Sequence, residues 1–250
     1  MSWDDDLASP HLEIAASTAQ RIAILAGPGT GKTGYGLMRR LARLLSEGAD
    51  PGRILLLSFT RVAAADLRDK VEELDAPGAG DLRASTLHGY CFGLLQRDAV
   101  LAHTRRCPRI LLQHEADLML RDLDGDYGDI RERRQRLRAF ESGWARATND
   151  HPGLAVQNED RAFERDVLRW LIDHRAVLIG EVVPLAHDYL SHNPLATELG
   201  AFDHLIVDEY QDLNTLEQHL LDLLSEFAHL CIAGDDDQSI YSMRYANPEI

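Results

Sequence analysis

Residues 21–36 read RIAILAGPGTGKTGYG. The opening six residues are a short apolar run ending in glycines, the pattern of a buried strand. From Lys32 the chain takes helical spacing, with Leu37, Leu41, Leu44 and Leu45 on one face. A glycine turn between a strand and a helix suits phosphate. The backbone N–H groups of Gly29 to Thr33 can wrap its oxygens at the helix N-terminus, and glycine permits the close approach. The chain has two lysines against 24 arginines, so a lysine retained in this loop is informative. Lys32 brings a compact, mobile charge to β- and γ-phosphates, where the planar fork of arginine fits poorly. Thr33 offers a hydroxyl to Mg²⁺. The strict pattern G-x-x-x-x-G-K-[ST] asks for glycine where the chain has Ala26. Ala26, Gly27, Pro28, Gly29, Thr30, Gly31, Lys32 and Thr33 therefore spell the variant A-G-x-G-[ST]-G-K-T. The rival reading, a glycine-rich βα turn with a chance lysine, is the weaker one, because strand, loop, Lys-Thr pair and helix all agree.

A second acidic segment lies far downstream. In FDHLIVDEYQD, residues 202–212, Leu205, Ile206 and Val207 predict a buried strand with two carboxylates at its C-terminal end. Ligands of open α/β sheets sit beyond those ends. Asp208 is placed to hold Mg²⁺, directly or through water, and Glu209 to orient and polarise an attacking water. Taken alone, the pair would be a surface acidic turn; together with Lys32 it reads as the other wall of a phosphate site. Asn214 and Glu217 predict a capping box for the next helix, whose apolar face is Leu216, Leu220, Leu223, Leu224 and Phe227. A further strand, Leu230 to Ala233, runs into Gly234 and a polar cluster where Gln238 can sense a γ-phosphate.

The segments AGPGTGKT, LLLSFTRVAAADLRDKV, STLHGYCFGLL, VDEYQD and AGDDDQSIYSMR occur in this order. The set resembles the first RecA-like domain of superfamily 1 DNA helicases of the UvrD/Rep/PcrA kind. The resemblance implies an α/β fold: a RecA-like P-loop NTPase domain with a parallel sheet, residues 1–95 and 200–250, carrying an inserted, mostly helical subdomain, residues 96–199. It implies ATP and Mg²⁺ as cofactors and 3′ to 5′ translocation along single-stranded DNA with unwinding at duplex junctions, in repair or recombination. Position by position, it makes Lys32, Asp208, Glu209 and Gln238 catalytic and Thr33 and Asp208 the Mg²⁺ residues. Phe59, Thr60, Arg61, Thr86, His88, Tyr241 and Arg244 become the DNA track. Single-strand binders need this mixture of aromatic and cationic side chains. As lone residues, Phe59 and Tyr241 would be core and His88 a turn histidine; their place inside the segments favours DNA.

Four departures stand out. The family's adenine-reading glutamine is replaced by His11. The arginine that often follows G-K-T is Gly34, and the tryptophan that often follows the QSIY segment is Met243. Methionine recovers only part of the roughly 1–3 kcal/mol of a base–aromatic stack. Finally, the family's second RecA-like domain, a required partner, has no counterpart up to Ile250. Arg244 is the sole arginine after Arg175, so slow hydrolysis is expected of this stretch alone, which reads as the N-terminal part of a motor. A helicase–nuclease or defence subunit, and a non-enzymatic nucleotide-binding module, are the alternatives.

Composition bounds the rest. The net charge of −15 excludes a general polyanion binder while leaving room for a local groove. No apolar run reaches the roughly 18 residues of a membrane span, and the acidic start MSWDDDLASP lacks an export signal. Three scattered cysteines, Cys91, Cys107 and Cys231, fit a reducing cytoplasm. In the middle region, segments 114–123, 131–147 and 159–190 have helical spacing, and DLDGDYGD, residues 122–129, reads as a loop. It lacks the twelfth-position glutamate of a calcium loop, having Arg133 there. The five arginines of 131–138 read as a solvated helix face, with a duplex-contacting stripe as the other possibility. His103, His114, His174, His187 and His192 show no metal-ligand spacing, and no metal is assigned to them.

Overall fold

The computed structural model describes residues 3–27, 29–73, 76–106, 109–146 and 158–235. The predicted positions Pro28, Gln238, Tyr241, Met243 and Arg244 lie outside this set. Among the described residues, five strands form one parallel sheet: β1 (Arg21–Leu25), β2 (Ile54–Ser58), β3 (Arg83–Thr86), β4 (His204–Val207) and β5 (His229–Gly234). Their order is β1-β5-β4-β2-β3. The helices are α1 (His11–Ala16), α2 (Arg39–Ser46), α3 (Arg61–Glu72), α4 (Leu87–Leu95), α5 (Asp98–Thr104), α6 (Gln113–Asp122), α7 (Ile130–Arg146), α8 (Asn158–Asp173), α9 (Val182–His192) and α10 (Thr215–Leu224). This is the α/β, RecA-like P-loop architecture. None of the described helices is long and apolar enough to cross a membrane.

The chain divides into two compact units, one of Met1–Gly89, Asn193–Leu213 and Leu221–Ile250, the other of Tyr90–His192 and Asn214–Leu220. The first holds the sheet. Its core joins Leu37, Leu41 and Leu45 from the helix after the glycine loop to Ile54 and Leu56 of β2, Ile206 of β4 and Cys231 of β5. Every residue of β2 is buried, as expected of a central parallel strand covered on both faces. β1 corrects the expectation of a buried strand. It lies at the sheet edge, and Arg21, Ala23 and Leu25 are exposed while Ile24 is buried. Period-two alternation gives it one packed face, against Gly36. The capping box at Asn214 and Glu217 forms, with reciprocal bonds of 2.9 and 3.0 Å. Phe227, expected on the apolar face of α10, lies beyond that helix and is 68% exposed, and Leu221 is buried instead.

The second unit is helical, with Phe140, Phe163, Leu171 and Met119 at its centre. The Phe140 and Phe163 rings stack at 5.7 Å, and Tyr127 meets Phe163 edge-on at 5.1 Å. The loop, which starts after Asp122 at the end of α6, is thereby anchored through Tyr127, whose hydroxyl donates to Asp166. Three arginines of the basic run brace the unit. Arg133 donates to the carbonyls of Leu120, Leu123, Gly125 and Gly128, Arg134 pairs with Asp117, and Arg136 pairs with Asp160. The helical pattern across 159–190 breaks between α8 and α9, because Arg175 turns left-handed (φ 49°) and Ala176 N–H closes onto the Leu171 carbonyl at 2.8 Å. A buried ion pair follows. Arg106 Nη2 donates to Glu181 at 2.9 and 3.1 Å and to the Ala176 carbonyl at 3.0 Å.

Candidate functional site

β1 and β4 flank β5, so the glycine loop and the segment after β4 open at the same end of the sheet. The loop begins with Ala26 N–H donating to the Gly234 carbonyl at 3.1 Å. Thr30 Oγ1 then folds back to the Gly27 carbonyl at 2.8 Å. Gly29 and Gly31 take φ of 74° and 84°, a region where side chains are strained. At Gly31 an added Cβ would also lie 2.7 Å from the Tyr35 ring. The Gly31 carbonyl accepts from both Tyr35 N–H (2.8 Å) and Gly36 N–H (3.2 Å). The helix therefore starts as a wide, π-wound segment, Lys32–Met38, before α2, a form common at functional sites.

Residues distant in sequence meet here. Lys32 Nζ lies 2.9 Å from Glu209 Oε2, and Thr33 Oγ1 donates to Asp208 Oδ2 at 3.0 Å. Glu209 sits in the left-handed region at φ 55°, a conformation that costs of order 1–3 kcal/mol for a non-glycine residue. Asp208 is buried; burial first, and then the Glu209 carboxylate, push its carboxyl above the ordinary range, against the Thr33 hydroxyl, the Glu209 backbone N–H and Lys32. For Glu209 burial acts upward, but hydrogen bonds from Gln211 and Lys32 with the Lys32 charge prevail and hold it low. The site thus keeps one carboxylate ionised beside an ammonium and a second carboxyl that gains from an added cation. A buried carboxylate and a threonine hydroxyl 3.0 Å apart are the hard oxygen donors that Mg²⁺ takes, so the residues fit that ion.

His11 reaches the loop, its Nε2 3.0 Å from the Thr30 carbonyl and its ring 5.6 Å from Tyr35. Two buried arginines put it there. Arg43 donates to the carbonyls of Ala16 and Ser17 at 2.6 and 3.2 Å, and Arg40 donates to Ser17, tying down the C-terminal end of α1. Gly34 faces open space.

Two residues in the same segment carry roles that the motif reading left unassigned. Gln211 is buried; its Nε2 donates to Glu209 Oε2 at 2.8 Å while its Oε1 accepts from Asp235 N–H at 3.0 Å. It ties the acidic turn to the end of β5. Asp212 is also buried, and its Oδ1 has no partner among the described residues. Burial, then Glu209, raise its carboxyl to about 6, with Lys32 opposing. The available signal was two further polar side chains in a short turn after a buried strand.

Of the expected DNA residues, Phe59, Thr60, Arg61, Thr86 and His88 are described, and they lie where β2 passes into α3 and β3 into α4. Thr60 Oγ1 caps α3 by accepting from Ala63 N–H at 3.0 Å, and Thr86 Oγ1 accepts from Gly89 N–H at 3.0 Å. Both hydroxyls therefore have structural work, and both retain an O–H to donate. Arg61 and Thr86 line one open groove of about 290 Å³ with Ala64, Ala84, Ser85 and Gly89. Phe59 and His88 are half-buried.

The sequence matches the family model described as UvrD/REP helicase N-terminal domain over residues 8–250. Similar curated proteins include the ATP-dependent DNA helicase PcrA of Staphylococcus epidermidis, 29% identical over 256 residues, covering 96% of this chain and 34% of that protein. The ATP-dependent DNA helicase PcrA of Staphylococcus aureus is 29% identical over 252 residues, covering 94% and 34%. The chain thus spans about a third of the length of the curated relatives it matches.

Proposed function

Because the chain belongs to the UvrD/REP helicase N-terminal domain family, we propose that it supplies the ATP-binding part of an ATP-dependent helicase that moves 3′ to 5′ on single-stranded DNA. The observation that carries this reading is the convergence of Lys32 on Glu209 and of Thr33 on Asp208. In the proposal, residues 1–95 and 200–250 are the motor domain and 96–199 an inserted subdomain. The setting is cytoplasmic DNA repair or recombination.

The residues divide the work. The loop amides and Lys32 bind the β- and γ-phosphates; to do so Lys32 exchanges Glu209 for phosphate oxygens. Released, Glu209 is a carboxylate held in place by Gln211 and able to orient a water. Asp208 and Thr33 would hold Mg²⁺, which supplies charge neutralisation at the phosphates when bound. His11 is assigned to the base, and with Gly34 in place of the arginine that often follows G-K-T, recognition of the base is weaker than that of the phosphates. Gln238 is assigned to sensing the γ-phosphate. Phe59, Thr60, Arg61, Thr86, His88, Tyr241 and Arg244 are assigned to DNA. The groove shared by Arg61 and Thr86 supports that assignment.

The test is fluorescence anisotropy of a labelled oligothymidylate with the 250-residue chain across a salt series. Binding should weaken with salt, and Arg61→Ala should lower the log–log slope by about one. Equal binding of blunt duplex, or a slope unchanged by Arg61→Ala, would refute the DNA assignment.

A further inference from the structure

The helical unit brings together three side chains that the sequence keeps apart. His103 lies on α5, and Asp188 and His192 lie one turn apart on α9. One imidazole or carboxylate atom from each falls within 4.8 Å of the others. His103 Nε2 is 2.9 Å from Asp188 Oδ2, and His192 Nδ1 is 3.2 Å from Asp188 Oδ1. One carboxylate thus faces two imidazoles. The Tyr189 ring packs edge-on against His103 at 5.6 Å and fixes the plane of that ring. His192 Nδ1 also lies 2.9 Å from the Asp188 backbone carbonyl. Coordination through Nδ1, the nitrogen nearest Asp188 Oδ1, exchanges this contact for the ion, with the ring N–H carried on Nε2.

We propose that His103, Asp188 and His192 form a binding site for a divalent transition-metal ion of the Zn²⁺ class. Two imidazoles and a carboxylate are a borderline donor set, suited to Zn²⁺, Co²⁺ or Ni²⁺ and poor for Mg²⁺, which prefers oxygen. Ligands of a tetrahedral ion with bonds of about 2.0–2.1 Å sit roughly 3.3–3.5 Å apart, so small side-chain rotations close the site. The ion takes a lone pair from each ring and from the carboxylate, and any proton they share leaves to solvent. Side-chain exposures of 27% for His103, 53% for Asp188 and 68% for His192 leave an entry path and room for water as the fourth ligand. Bound metal would staple α5 to α9, making the stability of the helical unit respond to metal supply. The separations in sequence hid the set: only Asp188 and His192 are within a helical turn.

The test is calorimetric titration of ZnCl₂ into the 250-residue chain, with visible d–d absorption of the Co²⁺ form as a geometric probe. One ion per chain is expected. His103→Ala, His192→Ala and Asp188→Asn should each weaken binding about tenfold or more, while His114→Ala, outside the group, leaves it unchanged. Asp188→Asn keeps a hydrogen-bonding side chain, so lost affinity with unchanged circular dichroism reports coordination. No binding by the parent chain, or affinity equal in parent and all three variants, would overturn the site.

Discussion

Asp212→Asn should stabilise the protein at neutral pH. Asp212 is 6% exposed, its Oδ1 lacks a partner among the described residues, and the Glu209 charge acts on it with Lys32 opposing. Burial and the neighbouring carboxylate raise it from 3.8 to about 6. At 1.36 kcal/mol per pH unit this is an upper bound of about 3 kcal/mol, and screening by water and ions at the open site brings it to about 1–2 kcal/mol. The sign follows from linkage. The folded state binds the proton more tightly than the unfolded state, so the wild type loses stability as pH rises from about 4 through about 6 and carries the full cost above that. Asparagine removes the charge and hence the pH-dependent part; any cost of seating its amide is the same at every pH. Urea midpoints of both proteins between pH 4.5 and 8 measure the difference. The gap should widen in favour of the asparagine variant with rising pH and level off above about 6.5. A gap that stays constant, or one that widens against the variant, would refute the claim that Asp212 is held as a penalised carboxylate.

Arg106→Met should lower stability by about 3–5 kcal/mol, because it strands Glu181, whose carboxyl burial already raises; Arg106→Met with Glu181→Leu should recover much of this in thermal melts. Gly31→Ala should lose nucleotide binding with a smaller loss of stability, since its φ of 84° and the 2.7 Å approach to Tyr35 distort the loop; a binding assay beside a melt separates the two. Phe140→Ala, emptying the stack on Phe163, should cost about 3–5 kcal/mol without changing nucleotide affinity.

Local chemistry made much of the fold legible. The glycine loop, the leucines of the following helix, the apolar strand before Asp208 and the Asn214–Glu217 cap are each decided within a few residues. The edge position of β1 was not legible, because an apolar run looks the same at the centre or margin of a sheet and only the strand order exposes Ala23 and Leu25. Neither was the break before α9, where Arg175 rather than glycine turns left-handed. In the site, residue types indicated which groups belong together, but the pairing of Lys32 with Glu209 depends on the unusual backbone of Glu209. The role of Gln211 depends on its contact with the end of β5, and that of Asp212 on burial without a partner for its Oδ1 among the described residues.

The central claim is that residues 26–33 and 208–209 form one Mg²⁺-dependent phosphate site. The direct measurement is titration of the chain with a fluorescent ATP analogue, with and without Mg²⁺, for the parent, Lys32→Ala and Asp208→Asn. Mg²⁺ should strengthen binding in the parent. Lys32→Ala should weaken it about 10–100-fold, the loss of a charge-assisted hydrogen bond. Asp208→Asn should remove the Mg²⁺ effect while the fold is retained. Equal affinity in all three proteins, or a Mg²⁺ effect undiminished by Asp208→Asn, would contradict it.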